Sequence, residues 1–228
     1  MKTEYLTPTT IIDSEHETIR ARAASLTAGC NPEPAERAAK LYYFVRDAIR
    51  YDPYYPFYLP EHYRASNVLD AKRGYCVSKA ALLCALARAV GIPARIGFAT
   101  VKNHLATRQL IEHMGSDLFV CRGFTELYLN GKWVKATPAF NIELCRRFGV
   151  PALEFDGSTD SIFHAFSSQQ TPFMEYIEYT GVYSDVPVET ILQAWRKAYG
   201  QERVEAWISL YERTPEGKRP DFANEDII

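Results

Sequence analysis

The run CVSKAALLCALARAV, residues 76–90, constrains this chain more than any other stretch. It is an apolar helical pattern, and Gly91 and Pro93 stop it. Gly adopts the left-handed conformation that ends helices, and Pro cannot continue one. A strand, ARIGFATV at 94–101, follows directly. Residues 117–140, DLFVCRGFTELYLNGKWVKATPAF, then read as a hairpin whose two β-rich runs meet at Asn130-Gly131. That dipeptide supplies the two positive φ angles a tight hairpin turn needs. With those as the turn residues, Leu129 pairs with Lys132, so paired positions sum to about 261.

The flanks complete an α+β pattern. Residues 13–28 suggest a first helix, capped by Asp13 or Ser14, and about 34–50 a second, with Ala38, Leu41, Tyr42 and Val45 at helical spacing. The segment YDPYYPFYLPEHYRAS, 51–66, is too rich in proline to be helical. It reads as an ordered aromatic loop, either a core lid or the wall of a substrate pocket. Residues 106–114 form a short helix, a strand lies near 173–183, and helices at about 187–199 and 201–212 close the chain. Helices followed by strands, without regular βαβ alternation, give an α+β fold. We expect a single domain over 1–228, with a core at about 35–141 and a helical and strand extension at about 142–213.

Composition narrows the function classes. The 228 residues are 47% hydrophobic, enough for one substantial core, and the net charge of −2 favours neither nucleic acid nor an anionic membrane as partner. No apolar run approaches the roughly 18 residues that span a bilayer. The N-terminal residues lack an apolar signal region. The five cysteines never form C-x-x-C, which fits free thiols in the cytoplasm. The five histidines are scattered, so neither a metal site nor a cofactor is expected.

Cys76 stands at the mouth of its helix, after Gly74-Tyr75. A helix N-terminus stabilises a thiolate through unpaired N–H groups and the dipole, and Lys72, Arg73 and Lys79 add positive charge nearby. The same position also suits a buried structural cysteine. Cys84, further along the Ala/Leu run, reads as core.

The segments GYCVSKAALLCALARAVGIPARIGFA and RGFTELYLNGKWVKATPAF resemble the core of the transglutaminase-like superfamily, which shares the papain-like cysteine protease fold, and the fuller stretch through EFDGSTDSIFHAF and MEYI is similar to a bacterial transglutaminase-like subgroup. The resemblance implies a Cys nucleophile at a helix N-terminus packed on an antiparallel sheet, with a His and an Asp from the hairpin completing a triad. Cys76 falls on the nucleophile. Arg122 falls on the His position and Thr137 on the Asp position, so two of the three members are replaced. An arginine cannot serve as a general base at neutral pH, but its guanidinium can stabilise a thiolate or clamp a carboxylate. Tyr75, His104, Glu126 and Asn141 are candidates on the substrate side. Glu126 shares a strand face with Arg122, so the two could pair. Among the other histidines, His164 reads as packed, His113 as exposed, and His16 and His62 as unrelated to the site.

The resemblance implies a cysteine enzyme that uses Cys76 for acyl transfer, hydrolysis or adduct formation on a small molecule or peptide. The alternative is a catalytically degenerate binding protein that kept the cleft. A third reading makes the C-terminal helices a docking face.

Overall fold

The computed structural model describes residues 3–103, 106–162, 174–215, 222 and 225. Two helices lead, α1 (Glu17–Thr27) and α2 (Pro34–Ala48), followed by a short strand β1 (Arg50–Tyr51). After the aromatic loop come α3 (Ala65–Ala71), β2 (Arg73–Gly74) and the apolar helix α4 (Cys76–Ala89). Then follow β3 (Ala94–Asn103), α5 (Arg108–Met114), β4 (Leu118–Leu129) and β5 (Lys132–Ala136). The chain continues through α6 (Ile142–Arg147), β6 (Met174–Tyr183), α7 (Val188–Tyr199) and α8 (Gln201–Arg213). The fold is α+β, as the sequence pattern implies.

The sheet is antiparallel, in the order β5-β4-β3-β6, and β1 and β2 make a separate parallel pair. The hairpin register is the one the turn dictates: Leu129 faces Lys132 and Thr125 faces Ala136. Asn130 and Gly131 both have positive φ, 49° and 85°. Helix α4 is buried from Cys76 through Arg88 and lies on the sheet. Its two neighbours differ in how they approach it. On β4, Gly123 and Thr125 face α4, and the Thr125 hydroxyl donates to the Ala80 carbonyl at 2.9 Å. A Cβ on Gly123 would sit 2.8 Å from the Val77 backbone, so only glycine lets the strand come this close beside Cys76.

Helix α1 is capped not by Asp13 or Ser14 but by His16, whose Nδ1 accepts from the Thr18 N–H. Asp13 is occupied elsewhere, accepting from the Ser66 N–H and hydroxyl at the start of α3. Helices α3 and α6 and the β1–β2 pair have no counterpart in the sequence pattern. They are short, and long-range contacts stabilise them in place of local periodicity.

Candidate active site at the first turn of α4

Cys76 occupies the first position of α4, and Tyr75 precedes it with extended backbone. The Ser78 hydroxyl accepts from the Tyr75 N–H at 3.0 Å, satisfying one of the donors a helix start leaves open. Gly74 makes room for that hydroxyl, since a Cβ there would lie 2.4 Å from it. The N–H groups of Cys76 and Val77 precede the first helical bond, Lys79 N–H to the Tyr75 carbonyl. Cys76 is 6% exposed, and it opens onto a cavity of about 340 Å³.

The wall opposite comes from β4, in a way regular alternation forbids. Phe119, Val120, Cys121 and Arg122 all line the cavity, whereas successive residues of a strand point to opposite faces. The register explains it. Ala99 pairs with Arg122 but Val101 with Phe119, and Cys121 adopts a left-handed φ of 57°. This is a β-bulge, which re-aims side chains and frees backbone groups from the ladder. The freed groups of Val120 are taken by α7. Its N–H donates to the Tyr199 hydroxyl at 2.8 Å and its carbonyl accepts from Trp195 Nε1 at 2.9 Å.

Arg122 is buried. Its Nη1 lies 3.5 Å from the Tyr51 hydroxyl, and its guanidinium stands over the Phe140 ring at 4.9 Å. Tyr51 joins the two ends of the site electrostatically. Burial pushes its hydroxyl up to about 12, Arg122 opposes that rise, and Cys76 adds to it. The Cys121 thiol is pushed up to about 11 by burial and by the neighbouring Cys76. Two thiols and one guanidinium therefore share the floor of the cavity.

The other sequence candidates fall in different places. Tyr75 lines the cavity, with its hydroxyl on that of Tyr63 at 2.8 Å. Thr137 is buried but does not line the cavity among the described residues. Its N–H donates to the Ser161 carbonyl at 3.0 Å, and its own carbonyl accepts from Tyr42. Glu126 does not reach the cavity or pair with Arg122. It is ion-paired with Arg95, its cross-strand partner, at 2.6 Å, because the residue directly opposite is nearer than one four residues along the same strand. Asn141 is neither exposed nor turned to the cavity. Its Oδ1 accepts from the Tyr51 N–H at 2.6 Å, and its Nδ2 donates to the carbonyls of Arg46 and Ile49. It positions the chain that carries Tyr51. His104 and His164 lie outside the described residues.

Lys79 does not lend its charge to Cys76. Its ammonium is fully buried against the carbonyls of Arg46 and Ile49 at the end of α2, and burial lowers its pKa well below the usual lysine range. Arg73 lies 4.0 Å from Asp52.

Sequence reasoning missed the roof. Trp195 and Tyr199 of α7 and Trp207, Leu210 and Tyr211 of α8 line the cavity, so these rings form its lid rather than a docking face. From the aromatic loop, Tyr54, Tyr55 and Phe57 line it as well, which makes the loop a pocket wall. His113 is half-buried in the wall, not exposed. It stacks on Trp207 at 5.1 Å and meets Tyr54 edge-on, and burial beside Arg203 lowers its pKa to about 4. The helix spacing of the Trp and Tyr residues was visible in the sequence, but a core-facing stripe and a cavity-facing one have the same period. Among the described residues, no helix is long and apolar enough to cross a membrane, and no cluster of His, Cys, Asp and Glu could hold a metal.

A candidate cysteine protease from Cytophaga hutchinsonii resembles the chain with a TM-score of 0.44 at 15% identity, over 78% of this chain and 53% of that one. A candidate protease from Parabacteroides distasonis matches with a TM-score of 0.41 at 17% identity, over 60% of this chain and 26% of the other. The chain thus spans about half of the first protein and a quarter of the second. No curated protein matches it. The family comparison is more direct. Residues 20–138, just over half of the 228, match the family model described as the transglutaminase-like superfamily. That span runs from α1 to the end of the β4–β5 hairpin and contains both Cys76 and Arg122. With a cysteine at the head of a buried helix, the hairpin beside it and this match, the chain belongs to the transglutaminase-like superfamily.

Proposed function

We propose that the protein is a cysteine-dependent acyl enzyme whose nucleophile is Cys76 and whose chemistry does not follow a Cys-His-Asp scheme. The observation that carries this reading is the placement of Cys76 in the first turn of α4, opening onto a cavity of about 340 Å³. The N–H groups of the helix start can stabilise an oxyanion forming beside Cys76. Arg122 adds a permanent positive charge to the same cavity.

What this arrangement lacks among the described residues points to the substrate class. Arg122 cannot accept or deliver a proton at neutral pH, and the contacts of His113 are with Trp207 and Tyr54. An amine leaving group has to be protonated as it departs, whereas a thiolate does not. The proposed step is attack of the Cys76 thiolate on the carbonyl carbon of a thioester. The new S–C bond forms, the old one breaks, and the leaving sulfur departs with its electron pair as thiolate. A thiolate acceptor then reverses the same exchange and returns Cys76 as thiolate. Amide hydrolysis by this site is expected to be slow, because among the described residues Arg122 and Thr137 cannot supply its two proton transfers.

Iodoacetamide alkylation at pH 7, read by peptide mapping, tests the nucleophile. Wild type is expected to be modified at Cys76 and Cys76→Ser at that position not at all. Arg122→Ala is expected to slow the alkylation several-fold, as the thiolate loses its neighbouring charge. Inert Cys76 in the folded wild type would favour a binding protein that keeps the cleft without the chemistry. Fast amide turnover would mean that a base replaces the family histidine.

A further inference from the structure

We infer that the cavity takes a compact aromatic acyl group, of the phenylacetyl type, and not a peptide. The inference rests on the reading of Cys76 as the acyl acceptor, and names the substrate class of that site.

The argument starts from what the walls can offer a ligand. Polar atoms of five of the lining aromatics are already bonded to protein. Trp195 Nε1 donates to the Val120 carbonyl and Trp207 Nε1 to that of His113. The Tyr199 hydroxyl accepts from Val120 and donates to Leu118. The Tyr75 hydroxyl meets Tyr63, and the Tyr54 hydroxyl donates to Glu225 at 2.6 Å. What these five side chains present inward is therefore ring surface. A peptide would bring amide N–H and C=O groups into this space, and each one left unpaired costs about tenfold or more in binding.

Ring geometry and size point the same way. Trp195 and Trp207 stand at 85° to each other with centroids 6.3 Å apart, and Phe57 meets Trp207 at 82° and 6.1 Å. Aromatic rings prefer this edge-to-face arrangement, and a further ring packed against their cavity-facing surfaces extends it. The volume of about 340 Å³ is at the small end of ligand pockets. Arg122 is the one permanently charged residue among those described as lining the cavity, and it lies with Tyr51 at the Cys76 end. The acyl carbonyl is thus polar-end first, at Cys76, with the ring among the tryptophans. The selectivity comes from α7, α8 and the aromatic loop, and α7 and α8 lie outside the span that matches the family.

The test compares phenylacetyl and acetyl thioesters of N-acetylcysteamine. Their rates of acyl transfer to Cys76 are each divided by the rate with free N-acetylcysteine. The phenylacetyl ester is expected to be faster by about ten- to a hundredfold, the range one apolar group supplies in a closed pocket. Trp207→Ala is expected to lower that ratio. Leu210→Glu, at a half-exposed position of the roof, is expected to lower it too without touching the core. A ratio near one, or one that both variants leave intact, overturns the inference. Protection of Cys76 from iodoacetamide by free phenylacetate is measured in parallel. Protection without acylation would remove the acyl-enzyme reading and keep the ligand class; acylation without preference or protection would do the opposite.

Discussion

The floor and the roof of the cavity are built by different rules. The floor is the head of α4 against β4, made by segments close in sequence and set by backbone geometry. Gly123 admits Val77, Gly74 admits the Ser78 hydroxyl, and a bulge at Cys121 turns consecutive side chains inward. The roof is made of large side chains from α7 and α8, more than sixty residues downstream, hung on β4 and α5 by a few hydrogen bonds. The floor tolerates almost no added volume. The roof can lose a ring and still close, because its helices also bury Ile191, Leu192 and Val204. The contrast separates where reactivity resides from where selectivity resides.

Breaking the floor gives the largest expected effect. Gly123→Ala forces a methyl group into the Val77 backbone, and overpacking of this kind costs about 1–3 kcal/mol. Thermal melts are expected to show that loss together with altered alkylation of Cys76. An unchanged melt would mean that β4 does not press on α4. Asn141→Asp keeps the acceptor for the Tyr51 N–H but faces a carboxylate with the carbonyls that Asn141 now serves. A loss of about 1–3 kcal/mol is expected, the cost of unpairing buried polar groups, with Asn141→Ala no worse.

On the roof, Trp207→Ala removes a half-buried ring and a single hydrogen bond to the His113 carbonyl. The expected cost is at most about 2 kcal/mol, below the range for fully buried tryptophan. Alkylation of Cys76 by a small reagent should not slow, since the cavity opens. A variant that fails to fold would erase the distinction between roof and floor.

The smallest effect sharpens the same contrast through pH. Burial and Arg203 lower the folded pKa of His113 to about 4, against 6.5 in the unfolded chain. The unfolded chain thus binds the proton first, and stability falls as pH drops from about 6.5 through 4. His113→Phe is expected to flatten that part of the pH profile of urea unfolding. An unchanged slope would place the transition elsewhere.

The same division governs what could be read in the sequence. Helix α4, the Asn130-Gly131 turn and the register of β4 on β5 were legible, because local spacing and turn chemistry fix them. The bulge was not. Strict alternation puts Arg122 and Glu126 on one face, which suggested a pair, yet Arg95 lies directly across from Glu126 and takes it. Asn141 was a substrate-side candidate, and its actual partners are backbone groups about ninety residues away. The roof aromatics carried a helical period that fits a core as well as a cavity wall. What escaped is what depends on which distant surface a side chain meets.

One competition tests the reading of the floor most directly. Cys76 and Cys121 share one cavity, but only Cys76 sits at a helix N-terminus, and burial holds the Cys121 thiol up at about 11. Wild-type protein is treated at pH 7 with the phenylacetyl thioester, and the acyl group is located by peptide mapping. It is expected on Cys76, with Cys121 unmodified. Acylation of Cys121 in place of Cys76, equal acylation of both, or none on either would contradict the assignment of Cys76 as the nucleophile.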